Sequence, residues 1–151
     1  MGETGLTGGC QCGAVRYRLD APPKGSNICH CRMCQKASGG PFMAFAGVRL
    51  SELVWTRGAP KVFVSSAIAE RGFCPECGTP LTYRLVRTDR ISVTTGSLDR
   101  PAAAPPEIQY GVESKLSWAD EALALPAKRT SDWLEGDEAS LGNRQHPDHD
   151  A

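Results

Sequence analysis

The chain carries no excess of charge of either sign: Lys and Arg together number 17, as do Asp and Glu, among 151 residues. With no basic field to hold a phosphate backbone, nucleic acid is not an expected partner. No run of about eighteen apolar residues occurs, and the opening MGETGLTGGC has neither a basic region nor an apolar core of the kind that directs secretion. Leu6 stands where the myristoylation pattern needs Ser or Thr, so the initial Met-Gly carries no lipid signal. A cytoplasmic protein with no membrane partner is the expectation. Aromatic residues are scarce at 7%, whereas Gly (16) and Pro (11) are frequent. That balance favours short strands and tight turns over long packed helices, and the length suits one domain with a real core. The sequence therefore predicts a single domain, mainly β.

Seven cysteines need an explanation. In a reducing compartment structural disulfides are disfavoured, and an odd number would leave one thiol unpaired. Metal sites can share seven as four plus three. The thiols fall into three groups: Cys10-x-Cys12, Cys29-His30-Cys31-x-x-Cys34 and Cys74-x-x-Cys77. In an extended segment side chains i and i+2 share a face, so Cys10 and Cys12 can grip one ion together. A C-x-x-C turn such as Cys74 to Cys77 converges both sulfurs on one ion at about 2.3 Å. Cys10, Cys12, Cys74 and Cys77 are thus the natural set for a closed, structural tetrahedron, tying the first strand to a knuckle far along the chain.

Cys29, Cys31 and Cys34 remain as a three-thiolate set. A zinc there would keep one coordination position free, which separates catalytic from structural sites. His30 challenges for that place. Its neighbours both face the other way in an extended backbone, so it is expected to pack nearby or to donate a hydrogen bond from outside the ligand set. A closed site and an empty, redox-active cluster are the alternatives.

Alternation predicts strands over Ala14 to Leu19, with Val15, Tyr17 and Leu19 inward and Arg16 and Arg18 outward, and over Arg90 to Thr95, with Ile91 and Val93 sharing a face. Further strands are expected at Phe42 to Val48, Leu53 to Thr56, Lys61 to Ser65 and Leu81 to Val86, with NICHC extended. Gly72 to Thr79 reads as turn chemistry, and Asp120 to Leu125 as one helical turn stopped by Pro126. From about Glu135 the chain is polar. His146 and His149 lie there as HPDH and are not expected to form a native metal site, since a mobile segment must first be ordered.

Gly9-Cys10-Gln11-Cys12-Gly13-Ala14-Val15-Arg16-Tyr17, then Cys29-His30-Cys31-Arg32-Met33-Cys34, then Phe73-Cys74-Pro75-Glu76-Cys77-Gly78-Thr79-Pro80-Leu81, and Gly96-Ser97-Leu98-Asp99 together resemble the glutathione-dependent formaldehyde-activating enzyme family, which is grouped with centromere protein V. The resemblance spans about residues 8 to 118. It implies a β-tent fold of antiparallel sheets, a structural zinc on Cys10, Cys12, Cys74 and Cys77, and a catalytic zinc on Cys29, Cys31 and Cys34, hence two zinc ions per chain. It further implies carbon–sulfur lyase chemistry that joins glutathione to formaldehyde as S-hydroxymethylglutathione. Where many members carry a histidine, this chain has Glu107-Ile108-Gln109-Tyr110. Residues 1–7 are then an N-terminal segment, 8–126 the zinc-binding β domain and 127–151 a polar, flexible tail. Arg32, Lys36 and Arg71 are candidate partners, by proximity in sequence, for the charged ends of a thiol such as glutathione. The competing readings are a non-catalytic two-zinc module that binds a protein, and a redox-sensing thiol cluster on a one-zinc scaffold. The sequence assigns no oligomeric state.

Overall fold

The computed structural model describes residues 5–149. The chain forms two sheets. The smaller takes β1 (Leu6–Gly9), β2 (Arg16–Leu19) and β5 (Leu53–Arg57) in the order β1-β2-β5, all antiparallel. The larger adds β3 (Asn27–Cys29), β4 (Met43–Arg49), β6 (Lys61–Ser66), β7 (Ala69–Phe73), β8 (Pro80–Leu85), β9 (Arg90–Thr94) and β10 (Ile108–Tyr110). Its order is β10-β3-β4-β9-β8-β7-β6, antiparallel throughout except for the parallel edge pair β10–β3. This is the mainly β, single-domain tent of antiparallel sheets that the sequence predicts. Among the described residues no helix is long and apolar enough to cross a membrane.

Two faces of the large sheet do different work. Ala46 and Val48 of β4, Leu81 of β8 and Ile91 and Val93 of β9 join Leu6, Val15, Tyr17 and Leu19 in one buried cluster. Period-2 alternation sends the intervening residues of β4 and β9 to the other face, and a bulge in β8 opposite the Gly72–Phe73 step puts Tyr83 there too, although Leu81 two residues earlier faces the core. There Met43 and Phe45 of β4 gather with Cys34, and Tyr83 packs against them. The core therefore supports one side of the sheet while Cys29, Cys31 and Cys34 occupy the other.

Along β2 the alternation holds for Val15, Tyr17 and Leu19, all buried, but Arg16 is buried as well. The reason is Asp99: its carboxylate receives both arms of the Arg16 guanidinium, at 2.9 and 2.5 Å, and the Thr7 hydroxyl at 2.5 Å. A satisfied, bidentate pair lets a cation sit where periodicity alone places it in solvent.

Four elements go beyond the sequence reading. β1 precedes the first expected strand and is half glycine. β7 begins before the Gly72 turn and carries charged residues. β10 has three residues, all exposed. The fourth is α1 (Arg32–Ser38), which follows directly on the NICHC segment in a stretch to which the sequence assigns no element. Cys31 caps it, its sulfur accepting the Cys34 N–H at 3.4 Å. Gly39, left-handed at φ 70, ends it by donating its N–H to Gln35 O at 2.9 Å. Beyond the large sheet, α2 (Thr130–Trp133) is a single turn. The chain then returns to the first cysteine pair, where the His146 N–H donates to Gln11 O at 2.7 Å. Residues 1–4 of the expected N-terminal segment, and residues 150 and 151, lie outside the described residues.

Candidate metal centres

All seven described thiols are free. They divide as four plus three, and within each group the sulfurs lie no more than 4.8 Å apart. The four-thiol group joins Cys10 and Cys12, on the turn after β1, to Cys74 and Cys77, on the turn after β7. Cys10 and Cys12 sulfurs are 3.6 Å apart, and Cys12 and Cys74 sulfurs 3.8 Å. A tetrahedral ion with bonds of about 2.3 Å requires sulfurs roughly 3.8 Å apart, so the side chains already stand at the separation such an ion needs. Backbone N–H groups of Val15 and Glu76 donate to the sulfurs of Cys10 (3.2 Å) and Cys74 (3.4 Å). Such donors stabilise thiolate rather than thiol.

Charge repulsion inside the group also fits a cation. The Ala14 backbone hydrogen bond lowers the Cys12 thiol, yet desolvation and the thiols of Cys10, Cys77 and Cys74 drive it up to about 12. Cys77, which desolvation raises, is brought down to about 6 by the hydroxyl and backbone of Thr79, together with Cys12. Four thiols this close cannot all ionise unaided. A divalent ion removes that conflict.

The three-thiol group is built differently. Cys29 ends β3, Cys31 caps α1, and Cys34 lies one helical turn on, so strand end and helix start aim all three sulfurs at one point. His30 turns away, as strand alternation predicts. It is buried, its Nε2 lies 2.9 Å from Gln109 Oε1, and its ring meets Phe42 edge-on. Gln109 thus serves to hold His30. Among the described residues no fourth cysteine, histidine or carboxylate joins the group. Burial raises Cys29 and pushes Cys34 up to about 12 against the pull of Arg71. In Cys31 burial is outweighed by hydrogen bonds from the Cys34 backbone and from Cys34 and Cys29, and the thiol falls below its ordinary value. Both groups could hold a metal ion. Only the second is open.

It opens into a cavity of about 670 Å³ on the sheet face opposite the core. Its lining includes Cys29, Cys31, Cys34 and Phe45 and, farther along β4, Gly47 with Lys24 and Arg90, while Tyr83 and Ser92 are cross-strand partners in the same wall. Strand rise of about 3.3 Å puts Gly47 roughly 13 Å along β4 from Met43, the partner of Cys29. A Cβ at Gly47 would lie 2.9 Å from Lys24 O and 3.1 Å from the Arg90 guanidinium, so glycine keeps that end clear. Gly111 does the same at the thiol end. It is left-handed at φ 63, and a Cβ there would meet the Cys31 backbone N at 2.7 Å.

Of the basic residues singled out by proximity in sequence, Arg71 reaches the cavity and the Cys34 sulfur. Arg32 is engaged within its own helix, donating to Gln35 Oε1 at 2.8 Å, and Lys36 lines an adjoining hollow. Lys24 and Arg90 carried no sequence signal, because only folding brings a loop and a strand end to one rim. Gln35 was equally silent. Buried in α1, its side-chain amide donates to His30 O (2.7 Å) and Ser114 O (2.9 Å), locking the helix to the strand end that carries Cys29.

A family model described as glutathione-dependent formaldehyde-activating enzyme matches residues 5–114. A Halomonas elongata protein, provisionally named a glutathione-dependent formaldehyde-activating enzyme, is 29% identical over 125 residues, covering 76% of this chain and 80% of that protein. An uncharacterized lyase of Schizosaccharomyces pombe is 33% identical over 76 residues, half of this chain and 55% of its own length. The crystal structure of a Rhodobacter sphaeroides protein superimposes with a TM-score of 0.56 at 22% identity, covering 68% of this chain and 98% of that one, and shows a shared fold. The matched span includes both cysteine groups and the Asp99 ion pair, and the chain belongs to the glutathione-dependent formaldehyde-activating enzyme family.

Proposed function

We propose that this chain is a zinc-dependent, carbon–sulfur lyase-type enzyme that interconverts glutathione plus formaldehyde with S-(hydroxymethyl)glutathione. Cys29, Cys31 and Cys34 hold the catalytic zinc, and Cys10, Cys12, Cys74 and Cys77 a structural one. The observation that carries the reading is the three-thiol group on the wall of a cavity that Lys24, Arg71 and Arg90 line, with no fourth ligand and no carboxylate in that lining among the described residues.

Bound at the three cysteines, zinc would supply the positive charge beside which an entering thiol gives up its proton and a carbonyl oxygen is held. The reaction forms one C–S bond. Sulfur adds to the carbonyl carbon, the C=O π pair moves to oxygen, and the proton released by the thiol ends on that oxygen. No oxidant and no leaving group are needed.

The chain's own part is placement. Phe45 and Tyr83, with ring centroids 5.7 Å apart, form an apolar wall beside the sulfurs. At the far rim Lys24 and Arg90 present cations roughly 13 Å along the strand, and an extended tripeptide spans about 10 Å. The carboxylate at one end of a thiol peptide can meet these two cations, once the reach of their side chains is included, while the peptide's sulfur stays at the three cysteines. Gly47 leaves the path between them open.

Exchange NMR of glutathione with formaldehyde tests the proposal. Wild-type protein should speed interconversion with the adduct above the buffer rate, and Cys31→Ser should return it to that rate. A wild-type rate equal to buffer would overturn the enzymatic reading and favour a zinc module that binds a partner.

A further inference from the structure

Arg71 is buried, with 8% exposure, yet no carboxylate pairs with it among the described residues. Its guanidinium donates to Cys34 Sγ at 3.4 Å and to Met43 Sδ at 3.6 Å, and its carbon lies 4.9 Å from the centroid of the Tyr83 ring. The stack follows from pairing, since Arg71 and Tyr83 are direct cross-strand partners of β7 and β8. Guanidinium does not shed its proton in a protein, and a buried cation without a counter-charge is costly. Of the groups it touches, Cys34 is the one that becomes an anion when a metal binds. Three thiolates around a divalent ion carry one net negative charge, and one guanidinium cancels it.

We propose that Arg71 is the counter-charge of the Cys29–Cys31–Cys34 centre, positioning the Cys34 sulfur and setting how tightly that centre holds its metal. The inference rests on metal binding at those three cysteines, though not on the reaction proposed above. It also explains a contrast between the two centres. Backbone N–H groups donate to sulfurs of both groups, but the three-thiol group has a full positive charge at its edge as well. Without Arg71 that charge would be unbalanced on a cavity wall meant to admit a further anionic ligand. Arg71 acts through Cys34 and is a positioning residue.

The test compares Arg71→Gln, which keeps a donor without the charge, with Arg71→Lys, which keeps the charge. Zinc affinity at each centre is read by chelator competition, and the cobalt(II)-loaded protein reports thiolate-to-metal charge-transfer bands. R71Q should weaken the second zinc about 10- to 100-fold and shift those bands. R71K should restore affinity to within a few-fold of wild type. The first zinc should be held equally by all three proteins. Wild-type affinity for the second zinc in R71Q overturns the proposal, as does an equal loss at both centres, which would mark a general loss of fold. A wild-type chain that takes up only one zinc removes the centre, and this role with it.

Discussion

Cys77→Ser isolates what the four-thiol centre does for stability. Cys77 is exposed, so its replacement opens no cavity in the core. What it loses is one of four ligands, and once a strong chelator takes the more weakly held metal the cross-link goes with it. Cys12 and Cys74 stand 62 residues apart in sequence with sulfurs 3.8 Å apart, and closing a loop of that length removes about 14 cal/mol/K of unfolded-state entropy, or about 4 kcal/mol at 25 °C. Against a typical total of about 5–15 kcal/mol this is a large share. In a chain of this size it corresponds to a fall in Tm of about 8–16 °C. Cys31→Ser provides the contrast. The same relation gives about 2 kcal/mol for the short span from Cys29 to Cys34, and β3 and α1 already order that span. C31S should therefore cost at most half as much as C77S. Calorimetry of both variants, with and without a strong chelator, decides the matter. Chelation of wild type should reproduce the C77S loss. A C77S melting temperature within about 3 °C of wild type, or a C31S loss as large as that of C77S, would refute a structural role for one centre and a functional role for the other.

The Arg16–Asp99 pair gives a second test. Asp99→Ala removes the carboxylate that receives both arms of the buried Arg16 guanidinium and should cost about 3–5 kcal/mol in urea unfolding. Desolvation raises the Asp99 carboxyl, but hydrogen bonds from Arg16 and Thr7 outweigh it and hold the group below its ordinary value. Its contribution is thus full above the unfolded carboxyl range, near pH 4, and fades as pH falls through the lower folded value. At the rim of the cavity, the combined variant Lys24→Gln with Arg90→Gln should raise KM for glutathione about tenfold, as expected for lost charge-assisted hydrogen bonds. Its kcat, and its rate with a thiol that carries no carboxylate, should stay unchanged.

What could be read before folding was what lies close in sequence or repeats with a fixed period. Cys10 and Cys12, Cys74 and Cys77, and the three thiols of NICHCRMC are each local, so spacing alone grouped them. Alternation placed Val15, Tyr17, Leu19, Ile91 and Val93 inside, and set His30 apart from its neighbours. Arg16 shows where that logic stops, because its burial depends on a carboxylate 83 positions away. Arg71 and Cys34 are separated by 37 residues, and Lys24 and Arg90 by 66. Strand order determines all three juxtapositions, and a period-2 pattern carries no information about strand order. α1 was hidden for another reason. Seven residues are too few to show a helical period, and the helix begins on a cysteine whose sulfur does the capping that Ser or Asp usually performs. That choice is itself chemical. A capping sulfur held by the Cys34 N–H is fixed in direction before any metal arrives, so the same residue starts the helix and aims one ligand at the point where the three thiols converge.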